Sequence, residues 1–194
     1  MIRPALPRPL LGLLLLAAAL LGSRVPADDA RGYERRVEEY AVPEVTLLDQ
    51  DGRRVDLKQA LQPDQPVVLD FFFSTCNTIC PVLSTSFSRL QAQLGPESEG
   101  VRLYSIAIDP EHDTPEVLRG YRERYGARPG WDLLTGSREN VTRVLKAFDA
   151  YTPNKMAHRP LNFLWSPAER RWVRLEGLVA ASDLDAEYRR LRQP

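Results

Sequence analysis

The chain is poor in the residues that most often carry chemistry. Its 194 residues include two cysteines, two histidines and two methionines. Two cysteines cannot staple a disulfide miniprotein, so that class is excluded. A basic surplus is also lacking. Lys plus Arg and Asp plus Glu number 26 each, and a chain that neutralises phosphates usually needs an excess of the former, so no nucleic-acid partner is expected. The basic residues are almost all Arg, the lysines being only Lys58, Lys146 and Lys155. No apolar run reaches the ~20 residues that span a bilayer. No repeat, low-complexity tract or linker divides the chain. An apolar fraction of 43% and a charged fraction of 27% are those of an ordinary globular domain.

The longest apolar run, residues 10–22, follows Arg3 and Arg8 and precedes Ser23, Arg24, Val25, Pro26 and Ala27. A basic start, a short apolar stretch and small residues at a cleavage point define a secretory signal. Residues 1–27 are therefore expected to be a signal peptide cut near Ala27, delivering the protein to the periplasm. The alternative is an uncleaved anchor that holds it to the inner membrane through residues 10–22. Residues 28–42 read as a loose N-terminal lead, and 43–192 as one domain, expected to be monomeric.

Within that domain, 43–48 and 53–57 flank an Asp51-Gly52 turn and predict a β-hairpin. The run 67–73 is apolar throughout and predicts a central, fully buried strand. Leu83, Phe87, Leu90 and Leu94 recur at helical spacing, and 101–108 is a second buried strand. Thr114 and Pro115 start a helix as N-cap and first-turn proline. A strand over 131–134, a helix around 141–148, a second hairpin (161–165 with 171–175) and a terminal helix through Leu184, Tyr188 and Leu191 complete the pattern. The fold class is an α/β sandwich, a central sheet flanked by helices.

The two cysteines lie in Cys76-Asn77-Thr78-Ile79-Cys80-Pro81, where the central strand gives way to a helix. Active sites of open α/β sheets gather at the carboxyl ends of strands. On a helix or turn, positions i and i+4 share a face about 5–6 Å apart. Two sulfurs so placed can close a disulfide, or bind one small ion. Pro81 suits the first helical turn, which would put Cys80 at a helix N-terminus where the dipole favours thiolate. A structural disulfide or two buried apolar cysteines is the plainer alternative, opposed by the Ser/Thr/Asn-rich surroundings.

A dithiolate completed by one imidazole suits Cu(I), whereas structural zinc wants four ligands and the spacing here matches no zinc finger. Position alone does not choose between His112, in a polar turn, and His158, just before a strand. Met156 is a further candidate through its thioether, although a lone methionine is more often packing.

Three blocks of this sequence resemble the SCO/SenC copper proteins of cytochrome oxidase assembly. They are Phe71-Phe72-Phe73-Ser74-Thr75-Cys76-Asn77-Thr78-Ile79-Cys80-Pro81, then Ser105 to Pro110 with Asp113-Thr114-Pro115, then His158 followed by Leu161-Asn162-Phe163-Leu164. The resemblance runs over about 43–192. It implies a thioredoxin-like sandwich with an N-terminal β-hairpin and an inserted second hairpin. It implies copper held by Cys76, Cys80 and His158, and it disfavours His112, where most relatives carry another residue. It suggests an outer-shell or partner-facing role for Asp109, for which turn and capping duties are an equal explanation. It also implies a partner: subunit II of cytochrome c oxidase or another copper protein, with a copper donor or thiol reductant upstream. Two departures stand out. Asn77-Thr78 replaces the Pro-Asp of many relatives, and Ala168-Glu169-Arg170 replaces the Asp-Gly turn of the last hairpin.

Two functions follow as expectations. One is a copper chaperone that matures the binuclear copper site of the oxidase. The other is a thiol–disulfide oxidoreductase using Cys76 and Cys80 as a redox-active pair, one sulfur attacking and the other resolving. A peroxidase is disfavoured, because Phe73 and Asn77 stand where such sites place Thr or Ser.

Overall fold

A computed structural model describes residues 32–95 and 101–192. The expected signal peptide, residues 1–27, lies outside the described residues. No described helix is long and apolar enough to cross a membrane.

The described strands form one sheet, in the spatial order first, eighth, seventh, fourth, fifth, sixth, second and third along the chain. At its centre lies β4 (Val67–Phe72), every residue of which is buried. It pairs in parallel with β5 (Arg102–Ala107), which pairs in parallel with β6 (Trp131–Thr135). The connections are α2 (Cys80–Leu94) and α3 (Pro115–Arg124), the long crossovers that parallel strands require. On the other side β4 pairs antiparallel with β7 (Leu161–Ser166), the first strand of a hairpin with β8 (Arg171–Gly177). The expected N-terminal hairpin is β2 (Thr46–Asp49) with β3 (Arg54–Asp56), and it extends the sheet past β6.

Because strand side chains alternate, β4 feeds two separate cores. Val68 and Phe72 face one core with Phe87 and Leu90 of α2, Leu118 of α3, and Leu184 and Tyr188 of α5 (Ala181–Leu191). Val67, Leu69 and Phe71 face the other, with Leu57 and Leu61 of α1 (Leu57–Leu61) and Val141, Val144 and Leu145 of α4 (Arg138–Ala147). This is the anticipated sandwich. The start of α3 is also as anticipated: the Thr114 side chain accepts from the Val117 N–H at 3.4 Å, with Pro115 in the first turn.

Two local expectations are corrected. The loose lead contains β1 (Tyr33–Glu38), an edge strand antiparallel to β8. Its charged sequence shows no alternation to reveal it. Tertiary partners hold it instead: Tyr33 packs into the first core, and Arg35 Nε donates to both carboxylate oxygens of the buried Glu187 at 3.1 Å. The second strand of the first hairpin ends earlier than anticipated, because the Asp56 side chain accepts from the Gln59 N–H and caps α1.

Candidate metal and thiol site

The end of β4 passes directly into the cysteine loop. The Cys76 N–H donates to the Phe73 carbonyl at 3.1 Å, forming a tight turn, and α2 begins at Cys80. No side chain caps α2. Its first N–H, that of Cys80, instead points at the Cys76 sulfur at 3.4 Å. The Thr78 hydroxyl lies 3.6 Å from the same sulfur. Both cysteines are free thiols.

This arrangement reverses the expected roles of the two sulfurs. Burial pushes the Cys76 thiol up. Hydrogen bonds from the Cys80 side chain, the Cys80 N–H and Thr78 more than offset it, and the net shift is downward. Cys80 is fully buried, and burial, reinforced by the adjacent Cys76, raises its thiol far above the usual range. The helix start therefore stabilises thiolate on Cys76 in the loop ahead of the helix, because that sulfur receives the N–H. The cysteines also pack against the first apolar core, although their sequence neighbours are polar.

The loop is anchored by Asp113. This fully buried carboxylate accepts from the Ser74 N–H at 3.2 and 3.3 Å and from the Ser74 hydroxyl. Burial raises its pKa, and the Ser74 contacts work against that. The sequence reading did not single it out. The available signal was that Thr114 already caps α3, which leaves the Asp113 carboxylate without local work. Asp109 uses its main-chain carbonyl to close the turn, accepting from the N–H groups of His112 and Asp113. Its side chain pairs with Lys155.

The two histidines differ sharply. His112 is exposed beside a groove of about 350 Å³ that Ser74 and Thr75 also line. His158 is buried. It follows a 3-10 turn, Lys155–Ala157, and leads into β7, whose start lies beside the end of β4 because Asp70 pairs with Asn162 in antiparallel register. His158 Nε2 lies 2.7 Å from the Phe71 carbonyl oxygen. A carbonyl only accepts, so Nε2 carries the proton and Nδ1 carries the lone pair. Nδ1 is buried without a hydrogen-bond partner. Burial lowers the pKa of the ring, which keeps it neutral. Met156 stands 64% exposed. Among the described residues, no three of His, Cys, Asp and Glu converge as a ready-made metal site. The fold brings His158 to the strand end that carries the cysteine loop, without closing it onto the sulfurs.

A thioredoxin-like sandwich bearing a dithiol at the first strand-to-helix turn of its parallel strands is the class that fold and site define. The particular family follows from sequence: the SCO1/SenC family model matches residues 34–183, and the chain belongs to that family. The chain is 34% identical over 114 residues to the SCO1 protein homolog of Bacillus subtilis, covering 57% of this chain and 58% of the relative. It is 34% identical over 110 residues to a protein of Stutzerimonas stutzeri named for copper binding, covering 56% and 52%. The chain thus spans little more than half the length of these relatives. Among solved structures, BsSco, described with a disulfide switch and as a member of the Sco family of cytochrome c oxidase assembly proteins, superposes with a TM-score of 0.67 at 27% identity. That superposition covers 80% of this chain and 95% of the other.

Proposed function

We propose that this protein carries copper as cargo, held by the Cys76 and Cys80 thiolates and by His158 Nδ1, and passes it to a copper site of cytochrome c oxidase. The observation that carries the reading is the state of His158. A ligating histidine usually donates its other ring N–H to a carbonyl or carboxylate, which fixes the tautomer. His158 already does so through Phe71, and its remaining nitrogen is a buried lone pair with no other use. Two thiolates and one imidazole form a soft, three-ligand set suited to Cu(I). Uptake deprotonates the thiols, so binding releases protons. Because the ligands are not pregathered, loading involves closure of the histidine turn and the cysteine loop onto the ion. An incomplete resting site is consistent with a carrier that must also release its cargo. Membership of the SCO1/SenC family, a relative named for copper binding and the place of BsSco among cytochrome c oxidase assembly proteins support the choice of metal and of recipient.

The test is metal analysis of the reduced protein without residues 1–27. One copper per chain is expected, withstanding a competing chelator. Cys76→Ser and Cys80→Ser should abolish it, and His158→Ala, which removes a ligand, should weaken it by at least about 100-fold, the upper end of the loss for a mere supporting partner. Wild-type affinity in His158→Ala would remove that ring from the site.

A second reading is favoured by the asymmetry of the thiols. In a thiol–disulfide exchange, the Cys76 thiolate attacks a partner disulfide and expels one partner thiolate. The Cys80 thiol then loses its proton and attacks Cys76, releasing the second partner thiolate and leaving this chain as the disulfide. The two readings use the same sulfurs and are not exclusive.

A further inference from the structure

The segment carrying His158 is fastened at both ends, and in between two of its side chains hold it to the neighbouring strands, Lys155 on Asp109 and His158 on the Phe71 carbonyl. At its start, the buried Arg174 donates to the Phe148 carbonyl at 3.0 Å, and Arg159 donates to the Asp149 carbonyl at 2.9 Å. At its finish, the Pro160 carbonyl accepts from the Gly177 N–H at 2.9 Å. Between these points the chain passes over a cavity of about 290 Å³, whose walls include Asp109, Thr142, Leu145 and Tyr151.

Lys155 crosses this region. Its ammonium pairs with Asp109, at the end of β5, and lies 5.2 Å from the centre of the Phe73 ring, three residues before Cys76. Its own carbonyl accepts the His158 N–H at 3.1 Å. One residue therefore touches the strand end leading to the cysteines, the turn that Asp109 closes, and the backbone of the histidine. The ammonium–ring contact has direction as well as strength, since a cation is attracted to the face of an aromatic ring. A displacement of Lys155 bears directly on His158, because His158 caps the 3-10 turn that Lys155 opens and its N–H is bonded to the Lys155 carbonyl.

We propose that Lys155 is a positioning residue for the cargo metal: it clamps the histidine turn against Phe73 and Asp109 and so sets how His158 is presented to Cys76 and Cys80. The proposal rests on the copper-carrier reading. It assigns Lys155 no ligand role, since an ammonium has no lone pair to offer.

The experiment is a Cu(I) affinity measurement by competition with chromogenic chelators of graded strength. The proteins are wild type, Lys155→Gln, Lys155→Arg, His158→Ala, and Lys155→Gln combined with His158→Ala. Gln keeps much of the apolar stem, removes the charge and adds no soft donor for Cu(I). Arg keeps the charge and can still lie over an aromatic ring. Lys155→Gln is expected to weaken binding about tenfold, the low end for outer-shell partners, and Lys155→Arg to restore most of it. In the His158→Ala background, Lys155→Gln should change nothing, because the residue acts through the missing ring. Wild-type affinity in Lys155→Gln, or an equal loss with and without His158, overturns the proposal. Failure of the wild-type protein to take up copper at all overturns the carrier reading itself, and the role of Lys155 with it. Unfolding curves recorded on the same samples separate lost positioning from lost folding.

Discussion

Cys76 and Cys80 have the same side chain four positions apart, yet the fold makes them chemically unequal. Thiolate is favoured where donors converge and disfavoured where they do not. The donors here are the Cys80 N–H and the Thr78 hydroxyl, and both meet the Cys76 sulfur. Alkylation of the reduced protein should therefore modify Cys76 first, with a rate that climbs at a lower pH than for an ordinary cysteine. Cys80 should stay unmodified until the protein unfolds. Thr78→Ala should move the Cys76 inflection upward. Mass spectrometry of partly alkylated samples checks this, and early modification at Cys80 would contradict it. The sequence placed Cys80 correctly at the helix start. What it could not show was which sulfur the helix N–H groups address, because that depends on how the preceding turn folds back.

At the scale of elements, the site is assembled from ends. The carboxyl end of β4 supplies the cysteine loop, the end of β5 supplies Asp109 and the turn to Asp113, and the start of β7 supplies His158. The antiparallel placement of β7 beside β4 is what brings the start of one strand to the finish of the other. The edge of this arrangement depends on Gly177. Its φ is +133°, and a Cβ there would meet the Gly32 carbonyl oxygen at 2.7 Å and the Tyr33 Cα at 2.9 Å. Gly177→Ala should therefore strain the β1–β8 pairing and cost about 1–3 kcal/mol, in the range for a backbone held in a sparsely populated region. Denaturant unfolding measures the cost, and hydrogen exchange should show the loss confined to β1 and its partner. A stability equal to wild type would mean that β1 is not held as described. The hairpins, the central strand and most of the helices were legible from alternation, turn residues and caps. β1 was not, since its charged residues are held by Glu187 and the β8 backbone, neither of which is near in sequence.

Across the whole molecule, the sheet separates two apolar cores, and the central strand carries one acid into the first of them. Asp70 is fully buried, neither carboxylate oxygen has a hydrogen-bond partner, and it lies between Ser105 and Asn162 in the registers of β5 and β7. Burial pushes its pKa up to about 7, an effect that the nearby Ser105 hydroxyl, which falls short of a full hydrogen bond to it, only partly offsets. The folded-state value exceeds the unfolded one, so the associated stability is fully present below pH ~4 and is lost as the pH rises towards about 7. Asp70→Asn should escape that loss. Its stability relative to wild type should grow between pH 4 and 7, by up to about 4 kcal/mol, and level off above. His158, whose pKa is lowered by burial, acts equally in both proteins and drops out of the difference. Chemical unfolding at pH 4.5 and 7.5 tests this, and a difference that does not vary with pH would show that Asp70 is ionised in the folded state.

Elements, caps and the strand-to-helix cysteine loop follow from local pattern, because periodicity, turn chemistry and capping act over a few residues. The same holds for the three blocks that marked the family. Contacts between positions 39 to 87 residues apart do not: Ser74 on Asp113, Lys155 on Asp109, and His158 on the Phe71 carbonyl. Those were decided only when the strands took their order in the sheet, because strand order sets which loop ends meet. Burial, which sets the protonation states of Cys80, His158 and Asp70, likewise belongs to the packed molecule and to no short stretch of chain.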